Sequence, residues 1–103
     1  MNNRLESLLN LHKREPDDSF LLYGIALEYM SLKDFDEAEK YFENLLGKDS
    51  KYVPAYMQYA QLKEKQNQIE KAKILYQKGI DIAKETGDAH AAKEMEEFLD
   101  ELE

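Results

Sequence analysis

Two consecutive stretches of 34 residues decide the fold of this chain: residues 19–52, SFLLYGIALEYMSLKDFDEAEKYFENLLGKDSKY, and residues 53–86, VPAYMQYAQLKEKQNQIEKAKILYQKGIDIAKET. Only two residues are identical between them, Ala26 with Ala60 and Ala38 with Ala72. Conservative matches surround these alanines at the spacing of packed helices, and they are Leu22 with Tyr56, Ile25 with Tyr59, Phe35 with Ile69, Asp36 with Glu70, Phe42 with Tyr76 and Leu46 with Ile80. A period of this length predicts a helical repeat scaffold, with two antiparallel helices in each stretch.

At these positions the chain resembles the tetratricopeptide repeat family, whose unit places large apolar, small and aromatic residues at fixed points of a helix pair. Residues 19–52 fit this pattern well. Residues 53–86 fit it less fully, because Lys63 replaces the first-helix aromatic, Gly79 the usual Ala and Lys84 the terminal Pro. The resemblance implies an all-α fold, an alpha-alpha superhelix (a tetratricopeptide-like solenoid) of about six helices.

Both flanks of the repeats also carry helical patterns. Residues 5–14 place Leu5, Leu8, Leu9 and His12 on one side, and in the repeat register they form the second helix of a unit that lacks its first, with Leu8 and Leu11 at packing positions. Residues 88–103 have an apolar stripe backed by acidic residues, which is typical of a solenoid's terminal cap. We therefore expect one domain over residues 1–103: a half-unit in 1–15, repeats in 19–52 and 53–86, and a capping helix in 88–103.

Composition restricts the classes of partner. The 103 residues carry a net charge of −8, which disfavours nucleic acid and anionic lipid because both are polyanions. The chain has no long apolar run for spanning a bilayer, and its polar start, Met1 to Arg4, lacks the apolar stretch of a secretory signal. With no cysteine present, the expected location is the cytoplasm.

Catalytic and metal-binding patterns are not found in the sequence. His12 and His90 lie far apart, no Glu-x-x-His occurs, and the four glycines are isolated rather than grouped in a phosphate loop. The sequence therefore predicts no enzyme, no catalytic residues, no cofactor and no metal site.

The resemblance implies where a ligand would bind, because in this family the first helices of successive units line a concave groove that holds a segment of another protein. The corresponding positions here, our predicted site residues, are Phe20, Tyr23, Leu27 and Met30 on the first unit and Met57, Gln61 and Glu64 on the second. One branch of the family grips a chaperone's terminal carboxylate with basic and Asn side chains, but the matching positions here carry no basic residue; they are Tyr23, Leu27, Gln58, Asp88 and Ala92. We therefore expect an apolar or basic protein or peptide as the partner.

The helix over residues 20–32 is apolar nearly all round, so the stripe beginning at Phe20 must be buried or used for binding. Three uses of the stripe are open. The N-terminal leucine helix could fold over it, two copies could form a homodimer through the stripe or through the open N-terminal edge, or the stripe could capture a peptide. The preferred prediction is a protein–protein interaction module that binds a peptide or protein segment in its groove, and the alternative is a self-associating structural unit with no separate ligand.

Overall fold

A computed structural model describes residues 3–103, and within that range the chain is all helical, without a β-strand. Met1 and Asn2, the first residues of the predicted half-unit, lie outside the described residues. The six helices are α1 Asn3–Arg14, α2 Ser19–Ser31, α3 Phe35–Lys48, α4 Val53–Lys65, α5 Ile69–Thr86 and α6 Ala89–Leu102. The predicted all-α class is confirmed. Two compact units divide between Ser50 and Lys51, and each is described separately below. The prediction that residues 1–103 form a single domain stays a prediction.

Short polar residues begin three of the helices. The side chains of Asp18, Asp34 and Asp88 accept hydrogen bonds from backbone N–H groups three residues further on, which satisfies donors that the first helical turn leaves open. Gly87 ends α5 in the left-handed conformation at φ 82°, which glycine adopts without steric cost. The turn inside each repeat also contains one left-handed residue, Lys33 at φ 62° and Asn67 at φ 59°. Asp34, which follows Lys33 in the first of these turns, is the N-cap of α3.

Unit 1 is built on the pairing of α2 with α3. Leu22, Ile25 and Ala26 from α2 and Ala38, Phe42 and Leu45 from α3 are completely buried. Because alanines stand at two of these positions, the two helices can approach closely while the large side chains fill the remaining space. The side chains of Ser19 and Asp49 join the start of α2 to the end of α3 by a hydrogen bond of 3.2 Å.

The helix α1 packs on α2 in antiparallel fashion. Arg4 Nε lies 2.6 Å from Glu28 Oε1, and Leu8 contacts the backbone at Gly24, where an added Cβ would stand 3.5 Å from Leu8 Cδ1. The predicted apolar side of α1 is half-buried, but Leu11, predicted at a packing position, is 42% exposed. That prediction is wrong for Leu11, because no helix within the described residues covers that side of α1.

Unit 2 adds a third helix to the same pairing. The α4 and α5 helices pack together and α6 packs on α5, burying a core that includes Tyr56, Tyr59, Tyr76 and Met95. Lys63, which replaces the family's aromatic residue, is buried, and its ammonium lies 5.6 Å from the centre of the Tyr59 ring. The aliphatic part of the Lys63 side chain thus occupies the space of the family's aromatic ring, and its ammonium makes a cation–π contact with Tyr59.

Candidate functional site

The predicted stripe on α2 follows one side of the helix from its first turn. Phe20 is 71% exposed, Tyr23 and Leu27 are half-buried, and Met30 is buried with only 9% of its surface exposed. The spacing of three, four and three residues places all four side chains on one side. The surface that α2 of unit 1 presents is therefore concentrated at the Phe20 end of the stripe.

The contacts of α1 fall beside this stripe. Gly24 and Glu28, which contact Leu8 and Arg4, lie on the neighbouring side of α2. These contacts do not support the alternative in which the leucine helix covers the stripe. Phe20 stays largely exposed with α1 in place.

The first turn of α2 is fixed from several directions within unit 1. Asp18 caps the helix through the N–H of Leu21, and the ammonium of Lys48 contacts both the carbonyl of Pro16 and the carboxylate of Asp17. The hydrogen bond and charge of Lys48 lower the pKa of the Asp17 carboxyl group. Phe20 therefore lies on a helical turn that is fixed by the Asp18 cap and by the contacts of Lys48.

The predicted site residues of α4 have partners inside unit 2. The Tyr76 hydroxyl donates to Glu64 Oε2 at 2.5 Å, and the Gln61 side chain hydrogen-bonds the same hydroxyl. The Tyr76 ring stacks on Phe98 of α6, with 5.8 Å between ring centroids. Gln61 and Glu64 therefore help to satisfy a buried hydroxyl. Met57 is half-buried on the same helix.

Sequence reasoning missed this network, although a signal for it was present. Tyr76 occupies the position of Phe42 in the preceding repeat, and a buried tyrosine needs a partner for its hydroxyl. A hydrogen-bonding side chain facing Tyr76 could therefore have been anticipated. The predicted residues thus fall into an apolar set on unit 1 and a more polar set on unit 2, and their union in one groove stays a prediction.

A second cluster of rings lies elsewhere in unit 1. Tyr41 stacks on Tyr29, and His12 meets Tyr41 edge-on, at centroid distances of 5.7 and 5.9 Å. Burial raises the pKa of both tyrosines. Shallow clefts of about 200 and 340 Å³ adjoin His12 and Tyr41. Across residues 3–103, no three His, Asp or Glu side chains are grouped so as to hold a metal ion.

No helix in the described part of the chain has both the length and the apolar character that crossing a membrane requires. The predicted cytoplasmic location stays a prediction.

The chain is similar in sequence to known repeat proteins. The sequence pattern of the tetratricopeptide repeat matches residues 29–95. The TPR repeat-containing protein PA0015 of Pseudomonas aeruginosa is 23% identical over 99 residues, covering 96% of this chain and 94% of that protein.

Two solved structures are similar along most of the chain. The solution structure of protein BPP2914 from Bordetella parapertussis gives a TM-score of 0.87 at 24% identity, covering 99% of this chain and 89% of that one. A tetratricopeptide repeat domain protein from Salinibacter ruber gives a TM-score of 0.81 at 28% identity, covering 85% of this chain and 89% of that one.

Proposed function

Because the chain belongs to the tetratricopeptide repeat family, whose domains generally bind other proteins, we propose that it binds a peptide segment of another protein along the α2 stripe. The observation that carries this proposal is the 71% exposure of Phe20 at the start of an otherwise apolar stripe. Exposed aromatic side chains on rigid elements are the usual anchors of protein interfaces. Neither the family nor the site points to an enzyme.

The rest of the stripe suits an apolar ligand. Tyr23 and Leu27 follow Phe20 on the same side and are only half-buried, so each retains surface for a contact. Leucine and phenylalanine offer no hydrogen bonds, and shape and apolar area would therefore decide which side chains are accepted. Met30, being buried, would support the stripe from beneath.

Charge favours a basic partner. The net charge of −8 attracts cationic segments and repels anionic ones at distances up to the Debye length. The proposed ligand is accordingly a segment with apolar side chains on one side and lysine or arginine on the other. Such a segment would associate faster at low salt.

The test is a titration with a short amphipathic peptide rich in leucine and lysine, followed by backbone amide chemical shifts. We expect the largest shifts at Phe20, Tyr23 and Leu27. Phe20→Ser should raise the dissociation constant about tenfold, since truncating an aromatic anchor costs on the order of 1–2 kcal/mol. Phe20 is exposed, so this change leaves the core intact.

Ile74→Ser is the matched control, because Ile74 of α5 is another large apolar side chain, 58% exposed. It should leave the affinity unchanged. Equal losses of affinity in the two variants would indicate non-specific hydrophobic binding rather than a defined site. Chemical shift changes confined to other helices would refute the proposal.

A further inference from the structure

One stripe of α1 is more exposed than the equivalent stripe of α3. Arg4, Leu8, Leu11 and Glu15 follow each other at intervals of four, three and four residues, which places them on one side of the helix. The backbone N–H of Glu15 donates to the carbonyl of Leu11 at 3.0 Å, so the helical path extends to Glu15. These four residues are called the α1 seam below.

The repeat register shows what such a stripe normally does. The equivalent positions of α3 lie 34 residues further on, and three of them, Ala38, Phe42 and Leu45, are completely buried in a helix that packs on α2. On α1, by contrast, Leu8 is half-buried and Leu11 is 42% exposed, while Arg4 and Glu15 are exposed. The α1 seam therefore has the position of a helix-packing face that remains accessible.

The neighbouring surface of α2 enlarges this apolar edge. The pairs Arg4 with Glu28 and Leu8 with Gly24 set the antiparallel register of α1 and α2, which brings residue 12 level with residue 20. Leu11 and the exposed Phe20 are thus at the same height of the helix pair. An occupant of the edge would bury apolar surface on both helices.

The order of residues along the seam is complementary to itself. If two copies of α1 lie antiparallel about a two-fold axis between Leu8 and Leu11, Leu8 meets the partner's Leu11. The same arrangement sets Arg4, whose exposed guanidinium also contacts Glu28 of α2, against the partner's Glu15. Each dimer thus gains two leucine pairs and two ion pairs. Side chains spaced alternately four and three residues apart interlock when two helices pack against each other. Glu6 and Lys13 lie on the far side of the helix and do not oppose this contact.

We propose that a second copy of this chain docks on the α1 seam, forming a reversible two-fold dimer through α1. The helix has only 12 residues, so the contact is smaller than a standard interface and the dissociation constant should be on the order of 10–100 µM. The dimer contact runs along α1, and it adjoins the peptide site at Phe20 of the α2 stripe.

The experiment is sedimentation of the full chain from about 5 µM to about 1 mM, a range that spans the expected dissociation constant. The average mass should rise from 12.1 kDa toward twice that value. Leu11→Asn should weaken the dimer at least tenfold. Ile74→Asn should leave it unchanged, because Ile74 is also an exposed large apolar side chain but lies on α5.

A charge exchange tests the predicted pairing. Glu15→Arg places like charges opposite each other and should raise the dissociation constant. The triple variant Arg4→Glu, Glu15→Arg, Glu28→Arg should restore it, because it reverses the contact of Arg4 with Glu28 within the protomer as well. Circular dichroism confirms that each variant is folded. A monomer at the highest concentration, a dimer insensitive to Leu11→Asn, or a triple variant no tighter than Glu15→Arg would each overturn the proposal.

Discussion

Helical glycines in this chain differ in what surrounds them, and Gly79 is the one that packing requires. A Cβ at Gly79 would stand 2.5 Å from Met95 Sδ and 2.8 Å from Tyr56 Cβ. At Gly24 the nearest atom, Leu8 Cδ1, is at ordinary contact distance, and at Gly47 nothing lies within 4 Å. The close approach of three helices at Gly79 therefore depends on the absence of a side chain.

Gly79→Ala should destabilise the protein by about 1–3 kcal/mol, because the clash with Tyr56 involves an atom fixed to the backbone and overpacking outweighs the gain in helix propensity. Gly47→Ala, on an open surface of α3, should stabilise it by roughly 0.5–1 kcal/mol. Urea denaturation measured by circular dichroism gives both values. Shifts of the same sign would contradict the packing argument.

Tyr76 gives a second residue-scale prediction, in the alkaline range. Burial, then the hydrogen bond to Glu64, raises the pKa of Tyr76 above its usual value of 10.0. The unfolded chain releases this proton near pH 10 while the folded chain retains it, so stability is complete below pH 10 and falls as the pH rises above it. The slope due to one proton is about 1.4 kcal/mol per pH unit.

The measurement is the urea midpoint at several values of pH between neutrality and the alkaline range. Tyr76→Phe removes the ionisable group, so its curve should decline less steeply than that of the unmodified chain. At neutral pH the variant should be less stable by about 1 kcal/mol, because Glu64 and Gln61 lose the hydroxyl. Parallel declines in the two proteins would show that Tyr76 does not govern the loss.

At this scale, the sequence predicted buried positions better than contacts. Ala38, Phe42, Ala72 and Tyr76 are all completely buried, as the repeat required. Phe20 and Met30 belong to the same stripe, yet one is exposed and the other buried. Spacing along a helix defines the side on which a residue lies. How deeply its side chain is buried depends on the neighbouring elements. The bond between Tyr76 and Glu64 likewise depends on how α4 and α5 are aligned.

Among the elements, α3 and α5 begin with the same backbone geometry but different caps. Asp34 has φ −90° and ψ 76° and accepts from the N–H of Glu37, whereas Gln68 has φ −105° and ψ 71° and its side chain makes no capping hydrogen bond. Glutamine is too long to bond the first-turn amides in this way. The second repeat thus has the conformation for a cap without the side chain for it.

Gln68→Asp should therefore raise the free energy of unfolding by about 1 kcal/mol, through the new hydrogen bond and the charge at the N-terminus of α5. The reciprocal change, Asp34→Gln, should lower it by a similar amount. Thermal unfolding of both variants decides the matter. If Gln68→Asp has no effect while Asp34→Gln is destabilising, the two helix starts differ in more than their caps.

The helices predicted over residues 5–14, 20–32 and 88–103 begin and end within two residues of α1, α2 and α6. The polar back of α6 was also visible in the sequence: His90, Lys93 and Glu97 lie 34 residues after the buried Tyr56, Tyr59 and Lys63. The prediction that α6 is a capping helix stays a prediction. The left-handed residue Lys33 was not predicted, since the residue type favoured Asp34 next to it.

Charge is the property that belongs to the whole molecule. The chain has 22 acidic and 14 basic residues, and residues 89–103 contain six acidic residues against one lysine. The ion pairs on the surface, such as Lys51 with Glu85, are exposed on both sides and contribute little. Repulsion among the acidic residues therefore outweighs attraction in the folded state.

Raising NaCl from about 0.1 M to about 1 M, which shortens the Debye length from about 10 Å to about 3 Å, should therefore stabilise the protein. We expect the melting temperature to rise by roughly 2–5 °C, the effect of about half a kcal/mol in a chain of this size. Replacing exposed Glu96 and Glu97 by lysine should reduce the response. A melting temperature that falls with salt would mean that the ion pairs dominate instead.

The pairing of each helix with its neighbour in the chain has a consequence for the rate of folding. In unit 1, α1 packs on α2 and α2 on α3, and in unit 2, α4 packs on α5 and α5 on α6. Such contacts close short loops, so forming each one costs little chain entropy. Chains with mostly local contacts fold fast for this reason. We therefore expect refolding within microseconds to milliseconds, a speed that gives exposed leucines little time to aggregate.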